Sequence, residues 1–261
     1  MRHFVQQPDG DLGRYVREIL WVRSDQPRAQ TLLPETSLTL VLRLSGTASL
    51  HNRALPQAVV SGLQSRSRVV EHGTNSSFVV VRFTEVGAPA ILHDRADLLY
   101  GKTASLDSFV SPSDIERIRN RLAESGGIDR QIPVIEQFLS ERIHPHRAIS
   151  AQVEAATKMI RDSGGRLTIA AIARRAAMSQ SALERQLRAA AGASPKMLSR
   201  LARLQRVCRL WDSGETLTTI ALDAGYTDQP HMIRDFQLFT GMSPQQFFRA
   251  NSPRNLPTFY K

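Results

Sequence analysis

One unit occurs twice in the second half of this 261-residue chain, and that repeat constrains the fold more than any other feature. Ile172-Ala173-Arg174-Arg175-Ala176-Ala177 matches Ile220-Ala221-Leu222-Asp223-Ala224-Gly225 at an offset of 48 residues. After one extra residue in the second copy, residues 179–187 align with 228–236 at an offset of 49, and both copies run on to a Gly-x-Ser-Pro, at 192–195 and 241–244. Self-similar segments build the same supersecondary unit twice, so the region must pack two copies of one motif.

Each copy reads as a short helix, a tight turn with a small residue, and a second helix capped by Ser179 or Asp228, which is a helix-turn-helix. Ala173 and Ala176, like Ala221 and Ala224, let two helices cross closely, while Leu183/Leu187 and Met232/Phe236 hold the second helix by one face. The opposite face carries Ser181, Glu184, Arg185 and Arg188 in the first copy, and Gln229, Pro230, Ile233, Arg234 and Gln237 in the second. Arginine can take both guanine acceptors in the major groove, and glutamine can pair with adenine. The plainer reading, two solvated helix faces, loses weight because the motif is present twice in a basic segment.

That basicity is local. From residue 151 onward there are 16 Lys+Arg against 8 Asp+Glu, a net +8 of the whole chain's +10. A concentrated cationic segment suits a polyanion. An arginine-rich genome would also raise the charge, since only four of the 34 basic residues are lysine, but it would not favour one half. Helical segments are predicted over 150–162, 168–177, 180–191, 195–212, 217–224, 229–240 and 244–250, with glycines 164–165, 192, 214 and 241 at or just after helix ends.

The first 110 residues read differently. RYVREILWV, SLTLVLRLSG, QAVVSGLQSRSRVV and SSFVVVRFTEVG are rich in Val, Leu, Ile and Phe between Pro, Gly, Asn and Ser clusters, as strands of a small barrel or sandwich are. Residues 78–83 form a nearly continuous apolar run, as in a strand covered on both faces. Two helices follow. Ser111-Pro112 with Asp114 caps one bearing Ile115, Ile118 and Leu122, and a second bears Val134, Ile135, Phe138, Leu139 and Ile143 before His144-Pro145-His146 breaks it. The fold expected is therefore two-domain α+β. An N-terminal β-rich domain with flanking helices spans residues 1–145, an all-α domain of seven helices with two helix-turn-helix motifs spans 148–250, and 251–261 is a tail.

Residues 150–250 resemble the DNA-binding domain of AraC-type (AraC/XylS) bacterial transcription regulators. The resemblance is carried by residues 169–188 and, more specifically, by Ile220-Ala221-x-x-Ala224-Gly225-Tyr226-x-Asp228-Gln229-x-His231-x-x-Arg234-x-Phe236 with Gly241-x-Ser243-Pro244. It implies that the two motifs enter successive major-groove segments, joined by a central helix over 195–212 whose buried face is Leu198, Leu201, Leu204, Val207, Cys208 and Trp211. It puts base reading on Ser181, Glu184 and Arg185, and on Gln229, Pro230 and Arg234. Ser181 is short and Pro230 lacks a polar side chain, which leaves Arg185, Gln229 and Arg234 as the strongest readers. Pro34-Glu35, the later GLQSR and VRFTEVGAPAIL resemble, more loosely, the cupin-like amino-terminal domain found on one branch of these regulators.

Other chemistries find less support. Gly101-Lys102-Thr103 has Ala96 where a phosphate-binding loop needs its first glycine. His144 and His146 lack a third metal ligand nearby, and His51, Glu71, His72 and Glu85 show no ligand spacing, which counts against a cupin-type enzyme fused to a DNA-binding domain. A nonspecific nucleic-acid binder is the third alternative. Cys208, the one cysteine, reads as core, and its solitude fits a reducing compartment. Arg66, Arg68 and Arg82 lie on candidate strands and could attract an anionic effector, two of the three being expected on solvated faces. With no leader-like or membrane-spanning apolar run, the chain reads as cytoplasmic. The partners expected are double-stranded DNA at an operator or promoter, a small-molecule effector, RNA polymerase and a second copy of the chain. No membrane, metal or cofactor is expected, and no enzymatic activity.

Overall fold

The computed structural model describes residues 2–92, 96–143 and 149–251. The His144-Pro145-His146 break and most of the expected tail lie outside the described residues. The first part of the chain forms ten strands in two sheets. The larger sheet, in the order β1-β2-β9-β4-β7-β10, comprises β1 (Arg2–Gln6), β2 (Val16–Ser24), β9 (Ser76–Phe83), β4 (Thr39–Ser45), β7 (Ala58–Ser61) and β10 (Thr103–Ser105). The smaller, in the order β3-β8-β5-β6, comprises β3 (Arg28–Leu32), β8 (Arg68–His72), β5 (Ala48–Leu50) and β6 (Arg53–Ala54). Every pairing is antiparallel. The two sheets remain separate, so the domain is a sandwich rather than a closed barrel.

The nearly continuous apolar run of residues 78–83 belongs to β9, which is central because β2 and β4 flank it. Its side chains alternate between two apolar environments. Phe78 and Val80 face the smaller sheet, whereas Val79, Val81 and Phe83 are fully or nearly fully buried with Leu40 and Leu42 of β4 in the main core. Helices α1 (Gly10–Tyr15), α2 (Gly87–Leu92), α3 (Pro112–Glu124) and α4 (Ile128–Ser140) contribute to that core. Ser111 caps α3 as expected, its hydroxyl accepting from the Asp114 amide, and Ile118, Leu122, Ile135, Phe138 and Leu139 are buried. Gly87 is required where α2 begins, because a Cβ there would lie 1.8 Å from the Tyr15 carbonyl oxygen.

Three details depart from the sequence reading. Arg14 and Tyr15, expected in a strand, form the last turn of α1. The segment QAVVSGLQSRSRVV divides into β7 and β8, which lie in different sheets. Arg82 is not on a solvated face: it is 4% exposed and paired with Glu18 at 2.6 Å and with Glu35. Arg68 is half-buried and donates to Ser61 and Thr103, so among the three arginines only Arg66 is solvated.

The second part is helical throughout: α5 (Ala151–Asp162), α6 (Ile169–Arg175), α7 (Gln180–Ala191), α8 (Pro195–Leu210), α9 (Leu217–Asp223), α10 (Gln229–Thr240) and α11 (Pro244–Ala250). Ser150, Thr168, Ser179, Ser194, Thr216, Asp228 and Ser243 each accept an amide in the first turn of their helix, and Gly192 and Gly241 end α7 and α10 in the left-handed conformation. These caps satisfy amides that would otherwise be unpaired, which is why the helix bounds are sharp.

The β-rich and helical parts share one apolar core that runs from Leu12 to Phe248. Polar links reinforce it. Arg14 pairs with Glu154, and buried Glu85 receives Arg17 at 2.5 Å and Arg161 at 2.8 Å. Glu35 accepts from Gln205 of α8 at 3.2 Å, and the Ser67 amide donates to the Phe239 carbonyl at 2.6 Å.

Candidate nucleic-acid interface

Both repeat copies fold as helix, turn and helix. In the first, α6 buries Ile172 and Ala173 and α7 buries Leu183 and Leu187; in the second, α9 buries Ile220 and Ala221 and α10 buries Met232 and Phe236. Ala176 and Ala224 are buried at the crossings. Ala177 and Gly225 are equivalent turn residues, both with positive φ, at 53° and 87°. The residue that follows turns back, Met178 donating to the Ala173 carbonyl and Tyr226 to that of Ala221, each at 2.9 Å.

The reading faces are open to differing degrees. Ser181, Arg185 and Arg188 of α7 are exposed and Glu184 is half-buried, while Pro230, Arg234 and Gln237 of α10 are exposed and Gln229 half-buried. Glu184 and Arg188 engage each other at 2.7 Å, one helical turn apart, so each neutralises its neighbour. Oε1 of the Gln229 side chain accepts from the Thr218 hydroxyl of α9 at 3.1 Å, which fixes its amide and leaves the NH₂ group to donate outward. Arg185 and Arg234, equivalent in the repeat, have no carboxylate partner among the described residues. Pro230 occupies the first turn of α10, where a missing amide costs nothing and no polar group is presented.

The central helix α8 ends at Leu210, two residues before the expected end, because residues 211–213 tighten into a 3-10 turn with Trp211 stacked on Phe248 at 4.3 Å. Its 16 residues span about 24 Å. Leu198, Leu201, Leu204, Val207 and Cys208 are buried as expected while Trp211 is only half-buried, and burial pushes the Cys208 thiol up to about 12, so it stays protonated and inert. Arg200 holds Asp235 of α10 through Nη at 2.7 Å and Nε at 3.1 Å, and its guanidinium stands 5.0 Å from the Phe239 ring centroid. Arg203 donates to the Gly165 carbonyl and lies over Tyr226. Both arginines are structural ties. The Arg200–Asp235 pair was not among the expected site residues; a charge inside the apolar stripe of each helix was its only signal in the sequence.

A second opening lies between the two sheets, a cavity of about 130 Å³ walled mainly by Leu, Val and Phe side chains and reached by Arg43, Arg68, His72 and Glu35. Arg43 also escaped the sequence reading, although it shares the inward alternation of Thr39 and Val41 on β4. His51 sits in an exposed turn, Glu71 is exposed on β8 and accepts from Ser49, and Glu85 is held by arginines. No group of three or more His, Cys, Asp or Glu side chains is placed to hold a metal ion among the described residues, and no helix among them is long and apolar enough to cross a membrane. Gly101-Lys102-Thr103 leads into β10 rather than into a helix, unlike a phosphate-binding loop.

A family model described as a helix-turn-helix domain matches residues 172–250. Among solved structures, ToxT from Vibrio cholerae aligns over 88% of this chain and 97% of its own, at 13% identity and a TM-score of 0.48. The C-terminal domain of AraT, a response regulator from Geobacillus stearothermophilus, aligns over 39% of this chain and 87% of its own, at 27% identity and a TM-score of 0.37. A DNA-binding transcriptional dual regulator from Escherichia coli K-12 aligns over 39% and 92%, at 25% identity and a TM-score of 0.34. No curated protein matches by sequence.

Proposed function

From the match of residues 172–250 to a helix-turn-helix domain, we propose that this domain is of the AraC type and that the protein is a sequence-specific transcription regulator whose α7 and α10 read successive major-groove segments. Arg185, Gln229 and Arg234 are the base readers in this proposal. Ser181 and Pro230 fill space beside the bases, and Gln237 with the Glu184–Arg188 pair borders the backbone. The observation that carries it is the equivalence of Arg185 and Arg234: two exposed guanidinium groups without carboxylate partners among the described residues, at one repeat position, on two capped helices. Bidentate recognition of guanine needs such a group. The 24 Å of α8 together with its flanking turns approaches the roughly 34 Å between successive major-groove faces, and a modest DNA bend makes up the difference.

The β-rich domain takes a small effector in the cavity between its sheets and passes the change through Glu35, Glu85 and Ser67 to the helices they hold. A second copy of the chain and RNA polymerase remain partners in this proposal, set in the cytoplasm. The reading is of a regulator and not an enzyme.

Selection of binding sites from random DNA by the full chain and by Arg185→Ala and Arg234→Ala tests the reading. Each substitution is expected to cost about 1–3 kcal/mol and to relax preference in a different half of the site. Equal weakening on selected and random DNA would leave these arginines as phosphate contacts and favour the nonspecific binder.

A further inference from the structure

The cavity between the sheets is chemically lopsided. Its two ends are fixed by the register of β4. Thr39 pairs with Ser61 and Arg82, and near it lie Arg68, which donates to Ser61 and Thr103, and Glu35, whose Oε2 accepts from Arg82 and Gln205 while Oε1 is buried without a hydrogen-bond partner. Arg43 is four residues further along the same strand, roughly 13 Å away at about 3.3 Å per residue.

At that far end the charges are not balanced. One terminal nitrogen of Arg43 donates to the Leu55 carbonyl at 3.1 Å, Nε is buried without a hydrogen-bond partner, and no carboxylate pairs with the guanidinium among the described residues. His72, stacked face to face on Phe78 at 4.7 Å, also has an unpartnered buried nitrogen, Nδ1. Burial and the nearby Arg28 and Arg43 lower its pKa, so it is neutral at neutral pH and adds no competing charge. The remaining wall here is mostly apolar, with Val22, Val41, Leu50 and Phe78 joined by His3 and Gln57.

We infer that the cavity binds a small monocarboxylate, its carboxylate against Arg43 and its apolar body between Val22, Val41 and Phe78. The inference rests on the reading that the β-rich domain senses an effector. A half-buried guanidinium without a counter-charge is stabilised by an anion that can accept two parallel N–H bonds, and a carboxylate has that geometry. Arg28 and Arg119 lie near enough to act on His72 and Arg43 but do not line the cavity, so among the described residues Arg43 is the one arginine or lysine lining this end, which suits a single negative charge better than a phosphate's higher one. Size limits the rest: an apolar cavity of about 150 Å³ holds one benzene, so about 130 Å³ admits a short branched chain or one ring and not a long acyl chain.

Calorimetric titration of the full chain with isovalerate and phenylacetate, and with their uncharged amides, tests this. Both acids are expected to bind saturably and the amides at least tenfold more weakly. Arg43→Met should abolish acid binding, and Arg43→Lys, which keeps the charge and loses the fork, should weaken it roughly tenfold while preserving the fold. Amides that bind as well as the acids, acids that bind Arg43→Met or Arg43→Lys as they bind the native chain, or no heat with either acid would overturn the inference. DNA affinity measured in the same samples separates it from the wider reading. Acids that bind without altering DNA affinity leave the site standing and remove its role as effector site. DNA affinity that responds to the amides alone keeps an effector and removes the carboxylate.

Discussion

The first helix-turn-helix turns on Ala177 and the second on Gly225, and from there the copies differ in what holds them. The second recognition helix is tied to the central helix by Asp235, which accepts Arg200 through two nitrogens. The equivalent residue of the first is Gln186, whose side chain accepts from the Ser150 hydroxyl at 3.3 Å in an exposed setting and makes no ion pair among the described residues. The first copy has its own close approach to the β-rich domain. A Cβ on Gly192 at the end of α7 would lie 2.8 Å from the Ala96 carbonyl oxygen, so the two backbones nearly touch. Duplicated motifs thus keep their internal packing and differ in their external supports: the second adds a buried ion pair to α8 to its Ser67 contact with the β-rich domain, whereas the first has a close backbone approach to that domain and no such ion pair among the described residues.

The largest expected break in this asymmetry is at Asp235. It is 8% exposed, and Asp235→Ala leaves Arg200 half-buried and unpaired, which should lower stability by about 3 kcal/mol in urea unfolding. Gln186→Ala should cost less than about 0.5 kcal/mol, because an exposed, long hydrogen bond is replaced by water. Equal losses from the two substitutions would show that the copies are anchored alike.

The turn residues come next. Gly225 has φ 87°, and a Cβ there would lie 2.4 Å from Cγ of Arg166. Gly225→Ala therefore adds left-handed strain of about 1–2 kcal/mol to a contact that Arg166 must vacate, for a loss of about 2 kcal/mol in all. A melting temperature unchanged by this substitution would mean that the turn relaxes freely.

A smaller effect separates the reading faces. Glu184 neutralises Arg188 on α7, whereas the equivalent positions on α10 are Ile233 and Gln237. Glu184→Ala should release one cation toward DNA. The salt dependence of random-DNA binding, read by fluorescence anisotropy, should then steepen by about one unit in the log–log slope, with only a few tenths of a kcal/mol lost from the fold. An unaltered slope would place Arg188 away from the phosphates.

The helical domain was legible almost residue by residue, and its signals are local. The bounds of α7, α10 and α11 agree with the sequence reading because Ser179, Asp228 and Ser243 cap their starts and glycines close the first two. Ala177 and Gly225 mark their turns in the same way. The β-rich domain was legible as a class and not in detail. Whether residues 58–61 and 68–72 pair with each other or with distant strands depends on contacts that no short window contains, and they join different sheets. The same limit hid Arg82, whose partners Glu18 and Glu35 lie 64 and 47 residues away. Glu35 and Glu85, which reach into α8 and α5, are invisible as links for the same reason: their partners are 170 and 76 residues along the chain. Arg43 is the exception, since a lone charge on the inward face of a strand is a pattern of period two and needs no distant contact to be noticed.

The finest test of the comparison is Ala177→Gly. With φ 53°, Ala177 holds a conformation that an L side chain occupies at a cost of about 1–2 kcal/mol, and glycine occupies freely. Glycine also enlarges the conformational freedom of the unfolded chain, which takes back about 0.5–1 kcal/mol. The Ala177 side chain is exposed, so no packing is lost with its methyl group. The balance is a gain of about 0.5 kcal/mol, opposite in sign to Gly225→Ala at the equivalent residue. A loss of stability on Ala177→Gly would show that the first turn is not strained, and that the two copies differ at this position for a reason other than backbone conformation.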